Sequence, residues 1–249
     1  MTRLRIEDAT MSFEDGATAE TVFSGFDLSV DSGEFVTVMG PSGCGKTTLL
    51  NLIAGLESLT AGRVTLDGSP VVPGESPIGY VFQEPRLLEW RTVAENVDFA
   101  LRATGVPSTK RPGRIDWVLE RVGLADERDA YPLRLSGGQR QRVNLARALA
   151  INPTVLLMDE PFSSLDEVTA RRARLDLLDV WEETALSVLF VTHNVAEAVR
   201  LSDRVICLDA GGDIFHELVI PHDRPRDFDA PELRETEAAL TETFFDALE

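Results

Sequence analysis

The sequence predicts an α/β fold in which a mostly parallel sheet carries helices on both sides, together with an antiparallel β layer and an inserted helical subdomain. Three observations lead to this prediction. Short apolar strands alternate with helical patterns, a glycine-rich loop follows one of these strands, and one long stretch contains helical patterns without strands. With 249 residues, the chain is long enough for one large domain with a lobe inserted in it.

The N-terminal part is predicted to form the antiparallel layer and the first strand of the parallel sheet. Leu4 to Phe13 and Val22 to Val30 have strand patterns and are joined by a polar, glycine-containing turn from Glu14 to Glu20. The apolar strand Phe35 to Met39 then runs into a glycine-rich stretch, after which Lys46 to Ala54 has a helical pattern.

Further short strands are predicted where short apolar runs recur along the chain. The later runs are separated by helical patterns such as Val168 to Glu183, an alternation that is typical of parallel sheets. The predicted strands are Arg63 to Leu66, Gly79 to Phe82, Val155 to Met158, Val188 to Val191 and Val205 to Leu208.

An inserted helical lobe is predicted in the middle of the chain, because no strand pattern occurs between Pro85 and Leu135. Val93 to Ala103 and Ile115 to Val122 have helical patterns, and glycine and proline are expected to break the chain from Gly105 to Gly113.

These patterns divide the single domain, residues 1–249, into three parts. Residues 1–84 and 154–224 form the predicted core, and residues 85–153 form the helical lobe. Residues 225–249 are acidic and contain prolines, with a weak helical pattern from Pro231 to Leu248. We expect a solvated helix or tail there.

The chain is strongly acidic, with 42 Asp and Glu against 24 Lys and Arg, a formal net charge of -18 and a pI near 4.6. Such a surface repels nucleic-acid phosphates, so we expect no nucleic-acid partner. Lys46 and Lys110 are the only lysines of the sequence. The preference for arginine over lysine, together with abundant Asp and Glu, is typical of halophile proteins adapted to high salt. The alternative is a GC-rich genome that favours arginine codons.

Cysteine usage and hydropathy indicate the compartment. Cys44 and Cys207 lie far apart without metal-ligand spacing, which favours a reducing cytoplasm. The first residues lack the apolar run of a signal peptide, and no stretch approaches the roughly 18 to 20 apolar residues that cross a bilayer. We therefore expect any membrane association to come through a partner.

The glycine-rich stretch matches a phosphate-binding loop at every fixed position. The strand before it and the helix after it supply the context that such a loop requires, since backbone N–H groups and a helix N-terminus then face the phosphates. Lys46 is placed to reach the β and γ phosphates, and the Thr47 hydroxyl to bind Mg²⁺. The alternative is a glycine-rich turn that precedes a lysine by chance. The motif consists of Gly40, Pro41, Ser42, Gly43, Cys44, Gly45, Lys46 and Thr47, with Thr48 beside it.

Two carboxylates follow the apolar strand Val155 to Met158, at the edge of a parallel sheet where ligands usually bind. Asp159 is a candidate Mg²⁺ ligand, and Glu160 is a candidate base for the attacking water. Taken alone, an apolar strand that ends in two acids is often only a strand end. Together with the glycine-rich loop, it favours a P-loop NTPase.

The segment Leu135-Ser136-Gly137-Gly138-Gln139, followed by an amphipathic helix through Ala150, resembles the signature of ABC ATPases. A Ser-Gly-Gly segment that opens a helix is also a second anion site, because a hydroxyl, exposed amides and the helix dipole face the ligand. In isolation, it could be only a helix start with Ser136 as the N-cap. Its position between the loop and the acidic strand favours the family interpretation.

The resemblance covers nearly the whole chain and implies further site residues. Gln83 corresponds to the Q-loop glutamine, which contacts Mg²⁺ and water, and Asp166 ends a D-loop-like segment, Ser163 to Asp166. His193 matches the switch histidine that senses the γ phosphate, and Phe13 is the candidate for stacking on adenine. Singly, Gln83 and His193 could be ordinary polar residues, and Phe13 a core residue.

The resemblance also implies a mechanism and partners. Two such ATPases dimerise head to tail, so that each ATP lies between the phosphate loop of one subunit and the signature of the other. We expect two identical chains here, with a pair of paralogues as the alternative. The segment from Gln83 to Val97 would form a groove that binds a permease. The permease would hold the protein at the cytoplasmic face of the cell membrane. A solute-binding protein that delivers solute to the permease would be an indirect partner. Trp90 would be either an anchor in that groove or a packing residue.

The most similar branch of the family imports nitrate, sulfonate, taurine and related small anions. The resemblance rests on the segment from Phe82 to Val93 and on Arg224-Pro-Arg226, although that branch usually has proline where Glu89 stands. A soluble ABC ATPase that transports nothing, such as an iron–sulfur assembly subunit, remains the alternative. A P-loop kinase or GTPase would leave the signature and His193 unexplained.

Overall fold

The computed structural model describes residues 2–15, 18–184 and 186–247. Residues 16 and 17 of the predicted turn lie outside the described residues. The strands are β1 (Thr2–Asp15), β2 (Thr18–Asp31), β3 (Phe35–Met39), β4 (Ala61–Leu66), β5 (Ser69–Pro70), β6 (Ile78–Val81), β7 (Val155–Asp159), β8 (Ser187–Val191), β9 (Arg204–Leu208) and β10 (Ile214–Val219). The helices are α1 (Lys46–Ile53), α2 (Val93–Ala103), α3 (Arg111–Arg121), α4 (Gly137–Ala150), α5 (Glu167–Thr184), α6 (Val195–Leu201) and α7 (Pro231–Asp246).

Contacts divide the chain into two units, the first made of residues 1–73 and 187–249 and the second of residues 74–186. The first unit contains the antiparallel layer, in the order β2-β1-β4-β5. The strand predicted over Arg63 to Leu66 belongs to this layer, because β4 pairs antiparallel with β1. It also contains a parallel group in which β3 pairs with both β8 and β9. The five residues of β3 are all buried, as expected for a continuous apolar run in a covered parallel strand. The α/β class is confirmed.

The second unit holds the parallel pair β6 and β7 and the four helices α2 to α5. Residues 85–135 are all described and contain no strand, as predicted. The predicted break from Gly105 to Gly113 is wrong at its end, because α3 already begins at Arg111. Pro112 lies in the first turn of that helix, where its missing N–H removes no helical hydrogen bond.

The C-terminal helix α7 forms where the sequence predicts it, but the expectation of a solvated helix is wrong for one of its faces. Leu233, Leu240 and Phe244 are buried in a cluster that includes Val199 of α6 and Cys207 of β9. The helix therefore packs on the unit that carries the glycine-rich loop. None of the described helices has the length and apolar character needed to cross a membrane.

Candidate functional site

The glycine-rich loop joins β3 to α1 through backbone that only glycine adopts readily. Gly43 and Gly45 have φ angles of 86° and 97°, in the left-handed region. A Cβ on Gly45 would lie 2.6 Å from Val22 Cγ1 and 2.7 Å from Phe23 Cζ, so there is also no space for a side chain. A loop that turns in this way can direct successive N–H groups toward one anion.

Lys46 is held at the base of this loop by its own backbone. Its Nζ donates hydrogen bonds to the carbonyl oxygens of Gly40 and Pro41, both at 2.8 Å, and the residue is only 7% exposed. Cys44 Sγ is 4.0 Å from the same Nζ. Burial raises the pKa of the Cys44 thiol although the nearby Lys46 charge opposes this, so the thiol is a neutral, buried part of the loop. Thr47, by contrast, is exposed in the first turn of α1.

A second turn packs against the loop and was not predicted as part of the site. Gly212, between β9 and β10, has φ of 84°, and a Cβ there would lie 2.7 Å from the carbonyl oxygen of Val22 and 3.2 Å from that of Cys44. The side chain of Asp209 closes the turn by accepting hydrogen bonds from the backbone N–H groups of Gly211 and Asp213. The Gly-Gly pair after a strand was the available sequence signal.

Two further candidates lie in the first unit. Phe13 is on β1, paired with Glu20 of β2, and is 44% exposed, so the alternative of a core phenylalanine is wrong. His193 is exposed two residues after β8 ends, in the turn that leads into α6. The positions of Phe13 and His193 do not show what either side chain binds. Adenine stacking by Phe13 and γ-phosphate sensing by His193 therefore stay predictions.

In the second unit, β7 ends at the two predicted carboxylates. Asp159 is 6% exposed, and Glu160 has a φ of 40°, a conformation that non-glycine residues adopt only at some energetic cost. Ser163 stabilises this turn by donating from its N–H and its hydroxyl to the Glu160 carbonyl oxygen, at 3.2 and 2.9 Å. Burial and the Asp159 carboxylate raise the pKa of Tyr80, which keeps the phenol neutral.

Gln83 is exposed after β6, and its amide nitrogen lies 3.5 Å from Ser163 Oγ. The backbone before it is fixed by α4. Asn144 and Gln141 donate side-chain hydrogen bonds to the carbonyl oxygen of Phe82, at 2.8 and 3.3 Å. These two residues were not predicted, since only the folded chain brings them to Phe82. They connect the signature helix to the segment that bears Gln83.

The signature segment begins α4 with a complete capping box. The Gln139 N–H donates to Ser136 Oγ at 3.2 Å, and the Ser136 N–H donates to Gln139 Oε1 at 2.9 Å. The N-cap interpretation of Ser136 is therefore confirmed, and it leaves a second role in anion binding open. A Cβ on Gly137 would meet no atom within 4 Å, so this position is open to an approaching group. Asp166 caps α5 by accepting from the N–H of Thr169 at 3.1 Å. Hydrogen bonds from the Thr169 side chain and then from its backbone lower the pKa of the Asp166 carboxyl.

Each of the two units thus contains some of the predicted site residues. The first unit holds the glycine-rich loop, Phe13 and His193, and the second holds the other candidates. Those of the second unit are Gln83, Ser136, Gly137, Gly138, Gln139, Asp159, Glu160 and Asp166.

A glycine loop that closes on a buried lysine between a parallel strand and a helix defines a P-loop nucleotide-binding protein. A profile of the family described as "ABC transporter" matches residues 23–163. The chain belongs to the ABC transporter family, as an ATP-binding subunit of the ABC ATPase type.

Individual proteins agree with this assignment. The chain is 43% identical over 224 residues to the aliphatic sulfonates import ATP-binding protein of Mesorhizobium japonicum, covering 90% of this chain and 83% of that protein. It is 44% identical over 208 residues to the nitrate import ATP-binding protein of Synechococcus elongatus, covering 82% and 76%. A dimeric ATP-binding cassette solved in a post-hydrolysis state with ADP and Pi has a TM-score of 0.79 and 32% identity, covering 88% of this chain and all of that chain.

Proposed function

We propose that this chain binds and hydrolyses ATP to power an ABC membrane importer of a small anion such as nitrate, sulfonate or taurine. The observation that carries the ATPase part is the loop from Gly40 to Thr47, with its left-handed glycines and its buried Lys46. The importer part is supported by the similarity to ATP-binding proteins for the import of aliphatic sulfonates and of nitrate. Because these relatives import different solutes, we propose a class of small anions and do not name a single one.

The residues present fit ATP and Mg²⁺. The left-handed glycines of the loop give the backbone a turn that can direct N–H groups toward a phosphate, and Lys46 brings a cation to the base of the loop. The Thr47 hydroxyl, the Gln83 amide oxygen and the buried Asp159 carboxylate are the proposed Mg²⁺ ligands, because oxygen ligands suit this ion. The metal would supply positive charge that neutralises the phosphate oxygens. Phe13 would stack on adenine.

Hydrolysis requires a base and an oriented water. Glu160, held in its turn by Ser163, is the proposed acceptor of the proton from the attacking water. His193 and Gln83 would hold the γ phosphate and the water in position, since most catalysis of phosphoryl transfer is positioning and charge stabilisation.

The active form is proposed to be a dimer of ABC subunits, as in the dimeric cassette to which this chain is similar. Each signature segment would contact the nucleotide held by the loop of the other subunit. The open space beside Gly137 supports this, because a phosphate that approaches the N-terminus of α4 needs room there. The residues proposed to contact the nucleotide bound to the second copy are Ser136, Gly137, Gly138, Gln139 and Asp166.

Permease subunits are the proposed membrane partners and would hold the chain at the cytoplasmic face, with a solute-binding protein as an indirect partner. A groove of about 340 Å³ follows Gln83 and is lined by Glu84, Arg86, Glu89, Leu133 and Arg140, among others. Leu133 is 72% exposed and Trp90 is 73% exposed. Such exposure contradicts a packing role for Trp90 within the chain and supports the role of an anchor for a partner.

Two experiments test this proposal. The purified chain should release phosphate from ATP with Mg²⁺ and not with excess EDTA, and Lys46→Ala should remove this activity. Disruption of its gene in the host should stop growth on one of nitrate, taurine or an alkanesulfonate as the nutrient source. Intact growth on all three, together with loss of iron–sulfur enzyme activity, would favour an assembly ATPase instead.

A further inference from the structure

The turn that carries His193 is closed by a ring of hydrogen bonds between its neighbours. Thr192 Oγ1 donates to Glu197 Oε2 at 2.7 Å, and the Glu197 N–H donates to Asn194 Oδ1 at 3.2 Å. The Asn194 N–H in turn donates to Thr192 Oγ1 at 3.1 Å. The ring therefore returns to its starting atom and encloses the backbone of His193.

Burial makes this ring rigid although the histidine itself is exposed. Thr192 and Glu197 are 2% and 6% exposed, so their hydrogen bond is shielded from water, whereas His193 and Asn194 are exposed. A buried carboxylate that accepts a hydroxyl hydrogen bond is costly to separate from its donor. The backbone that carries the exposed His193 imidazole is thus held in place.

The ring is also connected to the strand that leads into the phosphate loop. The backbone N–H of Thr192 donates to the carbonyl oxygen of Val38 in β3 at 3.3 Å, and Gly40 follows two residues later. A displacement of the ring relative to β3 would therefore break a hydrogen bond of the sheet.

The other end of α6 is fixed as well. The guanidinium of Arg226 donates to the carbonyl oxygens of Ser202 and Val199, at 2.6 and 3.1 Å, and Arg224 donates to that of Leu201. Arg200 Nε lies 2.8 Å from Glu237 Oε1 of α7. With its C-terminal carbonyls capped, α6 gives the ring a stationary support.

We infer that Thr192 and Glu197 are positioning residues, which set the orientation of His193 for ATP hydrolysis without contacting the nucleotide. The inference rests on the proposed role of His193 in ATP hydrolysis and adds the residues that orient the His193 side chain. Because the ring lies beneath the turn and outside the phosphate loop, its loss should affect turnover more than nucleotide binding.

The test compares Thr192→Val, which keeps the side-chain shape and removes the hydroxyl, with Thr192→Ser, which keeps the hydroxyl. We expect Thr192→Val to lower kcat about tenfold or more, because the buried hydrogen bond to Glu197 that closes the ring is lost, while KM for ATP changes less than about threefold. Thr192→Ser should restore most of kcat. Asn194→Ala against Asn194→Asp repeats the comparison at an exposed position, in case Thr192→Val fails to fold.

A spectroscopic readout separates positioning from activity. The sequence contains three histidines, so the imidazole resonances of His193, His216 and His222 can be assigned by single substitutions. In Thr192→Val the His193 resonance should move or broaden and return in Thr192→Ser, while the other two stay unchanged.

Two outcomes would overturn the inference. One is an unchanged His193 resonance in Thr192→Val, whatever the activity. The other is equal loss of kcat in Thr192→Val and Thr192→Ser. If His193→Ala hydrolyses ATP normally, the proposed role of the histidine fails, and the resonance still decides whether the ring positions its side chain.

Discussion

Gly138 faces Thr169 so closely that a Cβ on Gly138 would lie 2.4 Å from the Thr169 Cγ2 atom. Gly138 lies in the first turn of the signature helix α4, and Thr169 in the first turn of α5, where its N–H is capped by Asp166. Packing inside this chain therefore disfavours a side chain at the second signature glycine, separately from any contact with a nucleotide.

This contact predicts that Gly138→Ala lowers the free energy of unfolding by about 1–3 kcal/mol, as overpacking usually does. Replacing Thr169 with serine removes Cγ2 and keeps the hydroxyl, so Gly138→Ala with Thr169→Ser should recover most of the loss. Gly137→Ala is the matched control, since no atom lies within 4 Å of its added Cβ. Denaturant unfolding of the four proteins measures this, and equal effects at Gly137 and Gly138 would contradict the packing account.

Adjacent phenylalanines at the end of α7 give a second prediction. Phe244 is 6% exposed within the cluster on α6 and β9, whereas Phe245 is 58% exposed. Phe244→Ala should cost about 3–5 kcal/mol of unfolding free energy through the cavity that it leaves. Phe245→Ala should cost less than about 1 kcal/mol. If α7 is a solvated helix, thermal denaturation will show no difference between the two variants.

The sequence predicted the existence of α7 but not its packing. Leu233, Leu240 and Phe244 recur at helical spacing, yet the surrounding acidic residues favoured a solvated helix. The strand β10 and the helix α6 were not predicted, because a strand with His216 and Glu217 and a helix of seven residues carry weak periodic signals. The position of β10 depends on its pairing with β9, and that of α6 on its contacts with α7.

The candidate site likewise contains residues that the sequence predicts and contacts that only the folded chain reveals. The phosphate loop could be predicted because its chemistry is encoded by eight consecutive residues from Gly40 to Thr47. Gln83 and His193 were found through family resemblance, since a single polar residue carries no pattern of its own. The contact between Asn144 and the Phe82 carbonyl oxygen joins residues 62 positions apart and could be found only in the folded chain.

The buried thiol of Cys207 predicts a loss of stability at high pH. Burial raises its pKa from 9.0 to about 12 in the folded chain, so the unfolded chain releases this proton first. The contribution of the protonated thiol is fully present below the unfolded pKa and is lost as pH rises toward the folded value. Urea unfolding of wild type and Cys207→Ala should therefore converge as pH rises above about 9. A stability difference that is constant with pH would contradict this burial effect.

The net charge of -18 predicts that salt stabilises the chain. Added KCl screens the repulsion between surface carboxylates, whose range falls from about 10 Å at 0.1 M to about 3 Å at 1 M ionic strength. Both the Tm and ATPase activity should therefore rise toward molar KCl if the composition reflects salt adaptation. An optimum at low salt would favour the alternative of a GC-rich genome.

The most direct test of the ATPase account is phosphate release by wild type and Glu160→Gln, with the oligomeric state followed after ATP addition. The amide keeps the size of the carboxylate but cannot accept the proton, so we expect the variant to lose about 100-fold or more in rate. It should also accumulate an ATP-bound dimer, which light scattering during size-exclusion chromatography would detect. Normal turnover by Glu160→Gln would show that Glu160 is not the base and would contradict the catalytic assignment.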